Sequence, residues 1–160
     1  MKRRGLLIAL IVVALALGGL ALFAFSFNLS ALETPGETET WLALKARRWF
    51  VARGVQREPP PPAPAWSRES VESGEMTYGM SCANCHGPDG RTPRQLGLSM
   101  YPPTPGLGSP DVQAYSDAEL FWVIKHGVRH SGMPGFGRIH SDEDIWRLVH
   151  YIRSRREGQM

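Results

Sequence analysis

The sequence predicts an all-α chain in which a helical domain follows an N-terminal transmembrane helix and a tether. Three observations predict it. Residues 5 to 27 carry no charge. Three later segments place apolar residues at helical spacing, two of them behind a serine and a cluster of acids. No βαβ pattern interrupts them.

MKRR, residues 1 to 4, is a compact positive cluster ahead of the apolar run Gly5 to Phe27. At about 1.5 Å per helical residue that run reaches roughly the thickness of a bilayer's hydrocarbon core, so a transmembrane anchor is expected. A secretory signal peptide is the competing reading, because a positive segment leads an apolar one. Against cleavage, the run exceeds a normal signal core, and the following SFNLSALE offers neither an A-x-A site nor a lipobox cysteine. The positive-inside rule leaves residues 1 to 4 as a cytoplasmic tip and sends everything beyond Phe27 across the membrane.

Residues 28 to 66 form the tether. Ser30 to Thr40 contains Pro35 and Gly36 and begins as a loop. Glu37 and Glu39 then precede Trp41, Leu42, Leu44, Trp49, Phe50 and Val51, with Lys45, Arg47, Arg48 and Arg53 toward the far end. Acids early and bases late suit the helix dipole, which predicts a helix over 38–53. Its tryptophans and basic side suit anionic headgroups, or else the helix packs on the globular domain or on a partner subunit. The proline run 59–64 is expected to be an extended spacer that holds the next domain off the membrane or off that helix.

The domain, residues 67 to 160, starts near Trp66. Glu69 to Cys82 reads as its first helix, because Val71, Gly74, Tyr78 and Cys82 recur at helical intervals. The run CANCH, residues 82 to 86, follows and holds both cysteines of the chain, Cys82 and Cys85, with His86 next to them. C-x-x-C-H reads as a covalent haem attachment site, in which each thiol takes one vinyl group and the imidazole one axial position on iron. The other readings are weaker: a disulfide would close a tiny loop, a thioredoxin-like pair belongs beside βαβ, and zinc needs a second ligand pair. One covalently bound haem c is therefore expected. Bacteria attach such haem on the outer side, which agrees with a single-pass chain in the inner membrane and a periplasmic or outer haem domain.

Residues 87 to 115 hold many of the domain's glycines and prolines, and a loop of that length makes sense if it wraps the haem. Ser116, Asp117 and Glu119 open the next helix as a capping box, with Leu120, Phe121, Val123 and Ile124 as its apolar side and Gly127 as its stop. Ser141 and the acids 142–144 open the last helix. Ile145, Leu148, Val149 and Ile152 form its apolar stripe, and Arg153, Arg155 and Arg156 suit its carboxyl end.

Iron opposite His86 needs a second ligand, and Met100, Met133, His126, His130 and His140 are the candidates. Met76 and Met80 lie in the helix leading into the motif, on the wrong side of the ring. Met133 sits among Gly132, Pro134, Gly135 and Gly137, a backbone-shaped loop able to present a thioether without helix bulk. His126 and His130 are separated by the helix stop Gly127, which disfavours a shared metal site. Trp122 and Trp146 read as core, with one of them a candidate for the haem wall. Arg91, Arg94 and Tyr101 are the propionate candidates by position.

CANCHG, then WVIKHGVRHSGMPGF, then SDEDIWRLVHYIRS together resemble the class I monohaem cytochromes c of bacterial respiratory chains, in particular the short-loop, membrane-anchored type found beside oxidases. The resemblance covers residues 69 to 156. It implies a cytochrome c-like haem domain with Cys82 and Cys85 on the haem, His86 proximal and Met133 distal. It further implies that Gly74 and Tyr78 cross the last helix near Leu148 and Tyr151. The proline whose carbonyl orients His86 would be Pro93, Pro102 or Pro103.

Charge narrows the partners. Residues 1 to 66 hold eight Lys/Arg and four Glu, whereas residues 67 to 160 hold ten basic and eleven acidic groups. The near-neutral haem domain argues against nucleic acid, which selects a concentrated basic face. The expected function is one-electron transfer in a respiratory chain, between a quinol-oxidising complex and a terminal oxidase or reductase, rather than catalysis. The alternative is a fixed electron-transfer subunit of a larger membrane oxidoreductase, held through residues 38–53. A haem-based redox or gas sensor would instead require a weak or absent sixth ligand.

Overall fold

The computed structural model describes residues 2–26, 30 and 32–156, and every regular element among them is helical. The chain divides into two units, Met1–Ser30 and Ala31–Met160. The first consists of α1 (Lys2–Ser26), whose stretch Arg3–Phe25 is long and apolar enough to cross a bilayer as a membrane anchor or signal sequence. The side chains of residues 3–25 are exposed. The expected end of the apolar run, Phe27, lies outside the described residues.

The second unit comprises α2 (Glu37–Arg57), α3 (Arg68–Ser81), α4 (Ala83–His86), α5 (Gln95–Leu98), α6 (Pro110–Gln113), α7 (Asp117–His126) and α8 (Asp142–Ser154). Short polar side chains start the long helices of the haem-motif region. Ser67 accepts from Ser70 N at α3, and Ser116 and Ser141 each complete a reciprocal capping box, with Glu119 and Asp144. The long loop 87–115 is broken by the single turns α5 and α6, which the glycine and proline content had hidden.

α3 crosses α8 at Gly74, where a methyl group would lie 2.1 Å from the Arg147 carbonyl oxygen and 3.1 Å from Tyr151 Cβ. The missing side chain lets the backbones touch. One turn on, the Tyr78 and Tyr151 rings meet at 4.7 Å, and Ile145, Leu148 and Val149 are buried to 1 % exposure or less beside them. The expected helix contact is thus present, with Arg147 as the closest backbone partner.

α2 does not stand apart from this domain. Val51 is 3 % exposed, Trp122 of α7 seats against Gly54, Arg47 Nε donates to Tyr115 Oη at 3.1 Å, and Arg48 donates to the Asp111 carbonyl at 3.2 Å. The proline run is also pinned, since Trp146 Nε1 donates to Pro61 O at 3.2 Å. The expected spacer that separates helix 38–53 from the domain is therefore corrected: Val51, Gly54 and two arginines give α2 an inner face of its own. Glu58, just past the end of α2, lies 3.8 Å from the Lys125 ammonium and 3.6 Å from His126 Nε2 at the end of α7.

His150, 7 % exposed, hydrogen-bonds through Nδ1 with Ser70 Oγ at 2.6 Å. Burial pushes its pKa below the ordinary 6.5, against a smaller opposing pull from Asp117. Below pH 6.5 the unfolded chain takes up a proton that the folded chain resists, so stability falls as pH drops from there toward the folded pKa. Urea midpoints at pH 7 and pH 5.5 should therefore differ less in His150→Gln than in the native chain; an equal difference would remove His150 from the account.

Candidate functional site

The cysteine motif is held where α3 ends and α4 begins. Cys82 caps α3, and its carbonyl accepts from both Cys85 N at 3.1 Å and His86 N at 3.0 Å, so the motif is one tight helical turn. Gly87, at φ 84°, lets the chain leave that turn; a side chain there would strike Thr92 O. Tyr78 Oη donates to the Gly87 carbonyl at 2.5 Å, and Arg94 N donates to the Cys85 carbonyl at 3.1 Å. Both flanks of the turn are thereby fixed.

His86 Nδ1 lies 3.0 Å from the Pro105 carbonyl oxygen. A carbonyl can only accept, so Nδ1 carries the proton and Nε2 keeps its lone pair free for a metal. The orienting proline is none of Pro93, Pro102 and Pro103 but a fourth, Pro105. Burial lowers the His86 pKa, partly offset by this hydrogen bond, and keeps the ring in its neutral, ligating form. Burial also pushes the Cys82 thiol up to about 12, with Cys85 adding to it, so the thiol is protonated at neutral pH. That environment suits neither a redox thiolate nor a zinc ligand.

The turn opens onto a cavity of about 300 Å³. Cys82, Cys85 and His86 line it together with Met100 and Met133, and Leu107, Ile124, Phe136, Leu148 and Ile152 supply apolar walls. The Met133 side is built by the end of α7. Gly127, at φ 72°, ends that helix, and its Cα packs so closely on Pro134 and Gly135 that only hydrogen fits. The loop then caps the helix's free carbonyls: Phe136 N donates to Ile124 O at 3.0 Å and Gly137 N to Lys125 O at 2.9 Å. Val128 N to Met133 O at 3.1 Å and Met133 N to Ser131 Oγ at 3.2 Å close the loop on itself. Met100 enters the same cavity from the other loop, packed on Gly132 and accepting weakly from Thr104 Oγ1 at 3.9 Å.

The donor set therefore fits a covalently held haem: two thiols on one turn, a neutral imidazole with a free nitrogen, thioethers beyond, and apolar walls. The other candidates lie elsewhere. His126 stacks on Trp122 and faces Glu58, His140 hydrogen-bonds through Nε2 with Ser81 Oγ at 2.8 Å, and His130 is exposed. Among the described residues no group of three His, Cys, Asp or Glu forms a metal site. Trp122 and Trp146 both pack away from the cavity, under Gly54 and against Phe121, so neither lines it. Arg91 and Arg94 are exposed outside the lining, and the Tyr101 hydroxyl donates to Glu39 of α2. Neither the Glu39–Tyr101 contact nor the Pro105 contact has a local spacing signal in the sequence.

The family described as "Cytochrome C oxidase, cbb3-type, subunit III" matches residues 69–152. No curated protein matches significantly. Among solved structures, a chain of the Kuenenia stuttgartiensis reducing HAO-like protein complex is similar, with TM-score 0.54 and 18 % identity over 64 % of this chain and 54 % of that chain. The chain spans about half the length of that solved chain, and at this identity the likeness is one of fold.

Proposed function

From the premise that the chain belongs to the family of cytochrome c oxidase, cbb3-type, subunit III, we propose that it is a membrane-anchored monohaem cytochrome c that passes single electrons in a respiratory chain. The family implies haem c and an electron-transfer role. The observation that carries the reading is the cavity in which the CANCH turn faces Met133. Bound there, haem c supplies one-electron exchange between ferric and ferrous iron. Cys82 and Cys85 would hold it through thioethers, His86 Nε2 and Met133 Sδ would supply the iron ligands, and the Pro105 carbonyl keeps the imidazole in the ligating tautomer. The apolar walls exclude water and disfavour the net positive ferric site. Arg91 and Arg94, both exposed, remain the candidate donors to the propionates, whereas Tyr101 would have to exchange Glu39.

Reach separates a mobile carrier from a fixed subunit. The pinned proline run removes part of the length that a shuttling domain would use, which favours the fixed electron-transfer subunit as the second reading. The test is a reduced-minus-oxidised spectrum of the chain expressed with a haem c maturation system, together with gel staining for covalent haem. The expected result is one haem per chain that survives denaturation and is lost in the Cys82→Ala, Cys85→Ala double variant; a native chain without covalent haem would overturn the proposal. Co-purification of the native chain in mild detergent then separates carrier from subunit.

A further inference from the structure

Beyond Val51 and Gly54, α2 leaves large apolar groups exposed, and Trp49 and Phe50 among them border an open groove whose far wall is formed by residues 101–105 and 127–131. Trp41, Leu42, Trp49 and Phe50 are 55–64 % exposed. Trp49 and Phe50 meet edge to face at 4.8 Å, and the Arg53 guanidinium lies 4.8 Å above the Trp49 ring. These large apolar groups are therefore preorganised on the surface rather than scattered. Lys45, Arg53 and Arg57 flank them, exposed, and none of the three forms an ion pair among the described residues. Of the acids on or next to α2, Glu39 is bonded to Tyr101 and Glu58 lies 3.8 Å from Lys125, which leaves Glu37 one turn before Trp41 against three basic groups along the patch.

Aromatic side chains beside cations that form no ion pair, on a helix whose opposite side is anchored through Val51 and Gly54, match the chemistry of an anionic bilayer surface. Indole and phenyl rings partition at the headgroup boundary, and lysine and arginine draw in the lipid phosphates. Chain length agrees. About ten residues separate the end of α1 at Ser26 from the start of α2 at Glu37, a span of no more than about 35 Å even fully extended. We propose that the outer face of α2 lies on anionic phospholipid headgroups and, being clamped to α7 through Val51 and Gly54, sets the orientation of the haem domain on the membrane. The inference rests on the membrane-anchored reading above. It turns α2 from a tether segment into the part that decides which side of the domain faces the lipid.

Lys45 provides the readout, since the chain has only two other lysines, Lys2 and Lys125. The full-length haem-loaded chain is reconstituted into vesicles of pure phosphatidylcholine, or of phosphatidylcholine with about 30 % phosphatidylglycerol, and its amines are acetylated and read by peptide mass spectrometry. Lys125, held by Asp142 at 3.0 Å, is the internal reference. Lys45 should label about fivefold more slowly relative to Lys125 on the anionic vesicles, with the difference lost at about 0.5 M salt. The Trp49→Gln, Phe50→Gln double variant, which alters only exposed positions, should label at nearly the phosphatidylcholine rate on both. Equal Lys45 rates in the two compositions would overturn the proposal. So would protection found in native membranes but absent from both vesicles, which would assign the face to a protein neighbour. Flotation of the chain with pure phosphatidylcholine vesicles at high salt reports the α1 anchor separately, so a failed anchor and a failed α2 contact are told apart.

Discussion

Replacing Met133 by alanine should lower the reduction potential by on the order of 0.2 V, a moderate part of the roughly 0.8 V that axial ligands span. It should also make the reduced protein bind carbon monoxide, which the native protein should exclude. The loop supports a clean experiment. The backbone from Val128 to Gly137 is held by bonds that do not involve the Met133 side chain: Val128 N to Met133 O, Phe136 N to Ile124 O and Gly137 N to Lys125 O. Truncation therefore removes a thioether and leaves its platform in place. Met100 is the control, because it enters the same cavity and has a sulfur that accepts only a weak contact from Thr104. Met100→Ala should shift the potential little and admit no carbon monoxide. If instead Met100→Ala opens the iron and Met133→Ala does not, the distal role moves to Met100; if neither does, a thioether is not the ligand.

Signals carried within a few residues were legible in the sequence. Ser116 with Glu119 and Ser141 with Asp144 are capping pairs because a hydroxyl three residues from a carboxylate can satisfy both free amides, and both pairs formed. The Cys82, Cys85, His86 turn and the glycine-shaped loop around Met133 are local in the same sense, and the cavity brings them together. What was not legible depends on backbone groups or on partners far away in the chain. A carbonyl looks the same on every proline, so nothing distinguished Pro105 from Pro93, Pro102 or Pro103 as the partner of His86. Arg47 finds Tyr115 across 68 positions, and Gly54 is a seat for Trp122 only once α7 is beside it. A basic aromatic helix looks like a surface element until those pairings are known. For Arg91, Arg94 and Tyr101 the sequence offers position alone, and position in a loop does not say which way the loop turns.

Two glycines on α3 offer a comparison in which one substitution should act with opposite signs. Gly74→Ala places a methyl 2.1 Å from Arg147 O and 2.6 Å from Arg147 C, whereas Gly79→Ala meets nothing within 4 Å. The first clash is with backbone, which cannot rotate away, so α3 and α8 must part by about 1 Å, and a gap of that size forfeits up to half of each contact across it. The side chains that would lose contact are the best buried in the domain, Tyr78, Ile145, Leu148, Val149 and Tyr151, all at 1 % exposure or less. Overpacking of this kind should cost about 2–3 kcal/mol after the gain in helix propensity. Gly79→Ala should instead stabilise by about 0.5–1 kcal/mol, because an exposed helical glycine is replaced without steric cost. Thermal melts of the haem-loaded chain, followed by far-ultraviolet circular dichroism, should move down for the first and up for the second. The crossing also reaches the haem turn, since Tyr78 at the crossing donates to Gly87 just beyond His86. The Gly74→Ala protein should therefore lose its native haem absorbance together with its fold rather than after it, and a Gly74→Ala variant as stable as Gly79→Ala would mean that the two helices do not touch where the structure puts them.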